Sequence, residues 1–117
     1  MSDSILDTIK QLLGIEAEDT AFDTDVIVHI NSALMTLNQL GVGPSAAFSI
    51  QDKDDIWEDF LEKSTDLEAV KTYIYLKVRT VFDPPSSSAV LEAMNRSISE
   101  LEWRLNVQAE EGGVTNV

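Results

Sequence analysis

The chain has 117 residues, 44% apolar and 25% charged, the proportions of a single soluble domain with a buried core. Eight Lys and Arg against 21 Asp and Glu give a net charge of −13. This argues against duplex binding, which needs clustered basic side chains over the phosphates; only Lys71, Lys77 and Arg79 come close together. The absence of cysteine excludes disulfides and thiolate chemistry.

No apolar run approaches the roughly 20 residues that span a bilayer. The start, MSDSILDTIK, lacks the basic opening and small-residue cleavage site of a signal peptide. A soluble intracellular protein, or a virion component, is expected.

Ser4 is placed to cap a first helix with Ile5, Leu6, Ile9, Leu12 and Leu13 on its apolar side. Gly14 supplies a left-handed stop, and Ile15 folds back as its hydrophobic clasp. An acidic loop, Glu16 to Asp23, leads to a second helix starting near Asp23 or Thr24. Its stripe is Val26, Ile30, Ala33, Leu34 and Leu37, with Gly41 as the stop; Val28 and Met35 point the other way. From Gly43 to Gln51 there is no helical period. Phe48 and Ile50 alternate, as in a short extended stretch that tucks two side chains into the core. Asp52 to Lys63 reads as a short helix carrying Ile56, Trp57, Phe60 and Leu61.

The element around which the chain is organised is Thr65 to Pro85, TDLEAVKTYIYLKVRTVFDPP. Thr65 and Glu68 form a capping-box pair. Leu67, Val70, Ile74, Val78 and Val81 then recur at helical spacing, while Ala69, Tyr73 and Leu76 make a second side apolar too. A helix apolar on more than one side is usually central. Pro84 and Pro85 end it.

Three serines then offer an N-cap for a last helix. Its seam is Leu91, Met94, Ile98, Leu101 and Leu105, in steps of three and four suited to packing on the central helix. Glu92–Arg96 and Glu100–Arg104 are i,i+4 pairs worth about 0.3 kcal/mol each. After Asn106 the chain turns polar, and Gly112-Gly113 is expected to break any helix. The expected fold is all-α: a compact bundle of four to five helices with a long central helix and an extended C-terminal tail. The division is a helical domain over 1–106 and a flexible tail over 107–117.

The run YIYLKVRTVFDPPSSS followed by ISELEWRL resembles the head–tail connector (adaptor) proteins of long-tailed bacteriophages. The likeness extends over roughly Ile5 to Leu105. It implies a structural virion protein at the head–tail interface, assembled in host cytoplasm. Its subunits would form a twelve-fold ring between the portal protein and the head-closure (stopper) or tail proteins. DNA would pass through the ring without specific binding, and no cofactor would be needed. In that family the C-terminal segment reaches toward the portal. That makes Glu110, Gly112, Gly113, Val114, Thr115 and Val117 candidate portal contacts.

The residues themselves carry little catalytic promise. His29 is the single histidine, and at the side of the second helix's stripe it reads as a partly buried, hydrogen-bonded core residue. The run Asp52, Asp54, Asp55, Glu58, Asp59 invites a calcium loop. The required glycine and glutamate positions, however, hold Trp57 and Lys63. Carboxylates facing the dipole of a short helix explain the run better. Gly41-Val42-Gly43-Pro44-Ser45-Ala46 matches a dinucleotide fingerprint in letters but lacks the strand before it and the helix after it. Lys71, at the edge of an apolar stripe, is expected to snorkel, to pair with a carboxylate or to lie solvated.

What stands out is apolar residues opposite the buried stripes: Val28 and Met35 on the second helix, and Ala89, Ala93, Trp103 and Val107 on the last. They are candidate subunit contacts. Two other functions stay open. One is an acidic helical binding protein that occupies a basic surface of a partner without forming a ring. The other is a small enzyme, which would need a pocket lined by convergent polar groups.

Overall fold

Ser4 opens the first helix, α1 (Ile5–Leu13), its Oγ accepting from the Asp7 amide at 3.2 Å. Gly14 closes it in the left-handed region at φ 84°, and the Ile15 amide donates back to the Lys10 carbonyl. This computed structural model describes residues 4–44, 46–61 and 67–115. The second helix is α2 (Asp23–Gln39). It ends as glycine chemistry dictates, with Gly41 at φ 86° and the Val42 amide on the Leu37 carbonyl. Its stripe Val26, Ile30, Ala33, Leu34 and Leu37 is fully buried.

The described residues between α2 and α3 form no regular helix or strand, and Asn31 of α2 pins them at Ile50. The Asn31 amide nitrogen donates to the Ile50 carbonyl at 3.0 Å, and its Oδ1 accepts from the Ile50 amide at 2.7 Å. Ile50 is thereby driven into the core, and Phe48 packs on Phe60 with ring centroids 5.4 Å apart.

The helix expected over Asp52–Lys63 is corrected to one turn, α3 (Trp57–Phe60). Of the acidic run only Glu58 and Asp59 lie in its first turn; Asp52, Asp54 and Asp55 precede it. Asp55 Oδ2 accepts from the Gln51 and Asp52 amides, and Asp52 Oδ1 from the Asp54 amide. Aspartates that satisfy neighbouring amides in this way compete with the helix and hold a turn instead. Ser4 and Ile56 form an isolated antiparallel bridge, with the Ile5 amide on the Asp55 carbonyl. Among the described residues there is no longer strand.

The fourth helix, α4 (Leu67–Phe82), is the hub, packing against α1, α2 and α5 (Ser88–Thr115). Val70, Tyr73, Ile74 and Val78 are buried; the Thr65 half of the capping box lies outside the described residues. Two positions assigned to apolar stripes are exposed instead, Val81 at 60% and Leu12. Each lies within a turn of its helix end, where the period continues but the neighbouring element does not.

The long helix α5 docks its seam on α4, burying Ile98 and Leu105 with Leu91, Met94 and Leu101 half-buried. At about 1.5 Å per residue its 28 residues span roughly 42 Å, so α5 sets the molecule's longest dimension, 46 Å. It does not stop where the sequence reading placed the break: the helix runs past Asn106, through Gly112 and Gly113, to Thr115. A helical glycine costs about 1 kcal/mol relative to alanine, less than is needed to end a helix already nucleated over six turns. The 106/107 boundary therefore falls inside a continuous helix. Residues on both sides of that boundary meet the rest of the domain: the Asn106 side chain donates to the Leu40 carbonyl at 3.2 Å, and Ala109 packs against the core.

Candidate interaction surface

Each helix buries one stripe, and what it leaves outside defines the surface. On α2, Val28 and Met35 lie two turns apart opposite the buried stripe, 58% and 62% exposed. On α5, Trp103 is 67% exposed, Ala89 and Ala93 are exposed and Val107 is half-buried. The four α5 residues fall on one line of the helix, since steps of 4, 14 and 18 residues return close to the same angle at 3.6 residues per turn. Small residues at one end and an indole at the other give a surface that a neighbouring helix can approach closely.

The two sets belong to different faces. Helices α2 and α5 meet near their C-terminal ends, where Asn106 bonds Leu40 and Ala109 approaches Gly41; they do not pack along their lengths. Of the candidate portal contacts, Glu110 is exposed at the last described turn of side chains. The backbone of Gly112, Gly113, Val114 and Thr115 is helical, and Val117 lies outside the described residues.

Several determinants are invisible to periodicity. Lys10, on the supposedly apolar side of α1, is 1% exposed. Its ammonium reaches the Ala17 carbonyl at 3.1 Å, the Asp19 carbonyl at 2.7 Å and Asp23 Oδ1 at 2.7 Å. The acidic loop is thus wrapped around a buried cation. Tyr73, fully buried on α4, donates to Glu102 Oε2 of α5 at 2.7 Å. Burial, then that hydrogen bond and the Glu102 charge, raise the phenol well above its ordinary value. Arg79 is held by Tyr75 Oη at 3.0 Å, which raises its pKa further. Lys71 both pairs with Glu68 at 3.6 Å and lies over the Trp57 ring, 5.6 Å from its centre. The Glu100–Arg104 pair forms at 2.7 Å; Glu92 and Arg96 form no ion pair among the described residues.

A hollow of about 580 Å³, open to solvent, lies between α1 and α4 beside Asp7, Gln11, Lys71 and Thr72. Several polar groups lining it serve the fold. Thr8 Oγ1 donates to the Ser4 carbonyl and accepts from Trp57 Nε1, and Lys71 is engaged as above. His29 is half-buried and, contrary to expectation, makes no hydrogen bond to a described residue. Among the described residues no group of three acidic, histidine or cysteine side chains could hold a metal ion. No described helix is long and apolar enough to cross a membrane.

The all-α hub-and-spoke arrangement and its bare helix faces are features of an assembly component, and comparison with known proteins agrees. The family model described as phage connector protein matches residues 5–112. No curated protein and no solved structure matches the chain. With nearly its whole length matched, the chain belongs to the phage connector protein family, a family of structural proteins of the virion.

Proposed function

We propose that this connector is a ring-forming subunit. Its ring joins the portal protein to the head-closure (stopper) or tail proteins and lets DNA pass. The observation that carries the reading is Trp103. An indole 67% exposed on a helix whose other side packs on α4 is a residue a neighbouring subunit would bury, and such aromatics dominate interface energetics. Ala89 and Ala93 on the same line permit close approach. The ring is twelve-fold in the virion, as the resemblance implies, and assembles in host cytoplasm. A net charge of −13 gives a lumen that repels phosphate, so DNA slides without specific contact. The acidic-binder alternative shares the charge but has no use for an exposed indole on α5.

The segment beyond Glu110 is the portal contact in this reading. The experiment is sedimentation of the chain with purified portal, wild type against Trp103→Ala. The wild type is expected to co-sediment as a multimer, and the variant to remain folded and lose assembly. Unchanged assembly of the variant would remove Trp103 from the interface.

A further inference from the structure

A second apolar patch lies at the end of the bundle where α2 begins and α4 finishes. Phe22, the residue before α2, meets Phe82, the last residue of α4, edge to face with ring centroids 5.6 Å apart. Neither ring is sealed by the fold. Phe22 is 45% exposed, Val81 beside it in sequence to Phe82 is 60% exposed, and Phe82 is half-buried. Single exposed apolar residues need no explanation, but contiguous ones rimmed by polar groups mark interaction sites.

The rim is mainly acidic. Asp25, one turn after Phe22, Asp83, directly after Phe82, and Glu18 and Asp19, in the loop leading to Phe22, are all exposed. The C-terminal end of α4 adds the negative end of its dipole. Arg79, one turn before Phe82, is already engaged by Tyr75 Oη and the Asp83 carbonyl. Aromatic faces beside carboxylates favour cations twice over, by charge and by the ring quadrupole. A second copy of this chain has no cluster of free basic side chains to offer this rim, since its eight Lys and Arg are scattered and only Lys71, Lys77 and Arg79, all on the packed helix α4, come close together.

We propose that Phe22, Val81 and Phe82 form a docking surface for a partner protein's basic–apolar segment. An aromatic or aliphatic anchor seats against the two rings, and flanking Lys or Arg lie over Asp25 and Asp83. This surface is separate from the Trp103 face, and the isolated chain suffices to test it, so its failure leaves the ring reading untouched.

The probe is a fluorescein-labelled synthetic peptide with Leu-Phe between pairs of lysines, titrated at low salt and read by anisotropy. A control peptide replaces Leu-Phe by Ser-Ser. The wild type is expected to bind the probe at least about tenfold tighter than the control, a margin of roughly 1.4 kcal/mol. The double variant Phe22→Ser/Val81→Ser should lose that margin at unchanged helicity, and Trp103→Ser should keep it. If the double variant fails to fold, Val81→Lys alone, at a largely exposed position, should produce the loss. Equal binding of probe and control, an undiminished margin in the patch variants, or an equal loss in Trp103→Ser would each overturn the proposal.

Discussion

Lys10 shows how much one side chain can organise. Its three oxygen partners come from two loop residues and the first residue of α2, so it ties α1 to the whole acidic loop. Lys10→Met keeps the stem and removes the charge, leaving two carbonyls and Asp23 unsatisfied. Breaking such a buried pair costs about 3 kcal/mol, to be read as a lowered urea midpoint; a loss under about 1 kcal/mol would mean the loop finds water instead. Tyr73 gives a pH signature. Its folded pKa lies above the unfolded value of about 10, so its stabilising effect is complete below about pH 10. It is lost as pH rises from there toward the folded value, because only the unfolded state then releases the proton freely. Stability should fall above about pH 10, and Tyr73→Phe should flatten that limb while costing about 1 kcal/mol at neutral pH. At Gly43, φ is 92° and an added Cβ would sit 2.5 Å from the Phe60 ring. Gly43→Ala should therefore destabilise more than Gly14→Ala, whose φ is similar but whose surroundings are open; equal melting shifts would show that Phe60 moves aside freely. The caps at Ser4 and Gly14 were legible because their chemistry is local. Lys10 was not, since a lysine in an apolar period carries no mark of which distant oxygens will meet it.

At the scale of elements, period and punctuation located four of the five helices and the stripes that face the core. Val70, Ile74 and Val78 are buried as their spacing requires. Ile74→Asp, an unpaired charge at the hub of the bundle, should cost several kcal/mol and abolish the cooperative melt; an unchanged circular dichroism melt would displace the core from α4. Two elements resisted the reading for opposite reasons. The acidic run before α3 forms side-chain-capped turns, where composition suggested a helix start. The C-terminal stretch stays helical, because anchors at Leu105, Asn106 and Ala109 outlast the polar composition. Those anchors all precede residue 110. Deleting residues 110–117 should then remove only the last six helical residues of α5 and leave the melting of the domain intact while abolishing portal binding. Full-affinity docking by the truncated chain would place the contact on the helices. The surface residues were partly legible: Val28, Met35 and Trp103 stood out as apolar side chains off the stripe. Phe22 did not, because it precedes its helix and belongs to no period.

For the whole molecule, charge is the governing property. At −13 the isolated chain should not shift duplex DNA at about 50 mM salt, where electrostatic binding is strongest, and sub-micromolar affinity there would contradict a passive conduit. Ring closure brings many such charges together, and added salt should promote it by screening the repulsion between neighbours. The central claim is that this chain completes the portal as a closed ring of copies. Averaged electron micrographs of purified portal mixed with the chain test that claim most directly. The expected result is an added annular layer on one face of the portal, continuous around the axis and open at its centre. Portal particles carrying no layer, or isolated copies attached without lateral contact, would contradict it.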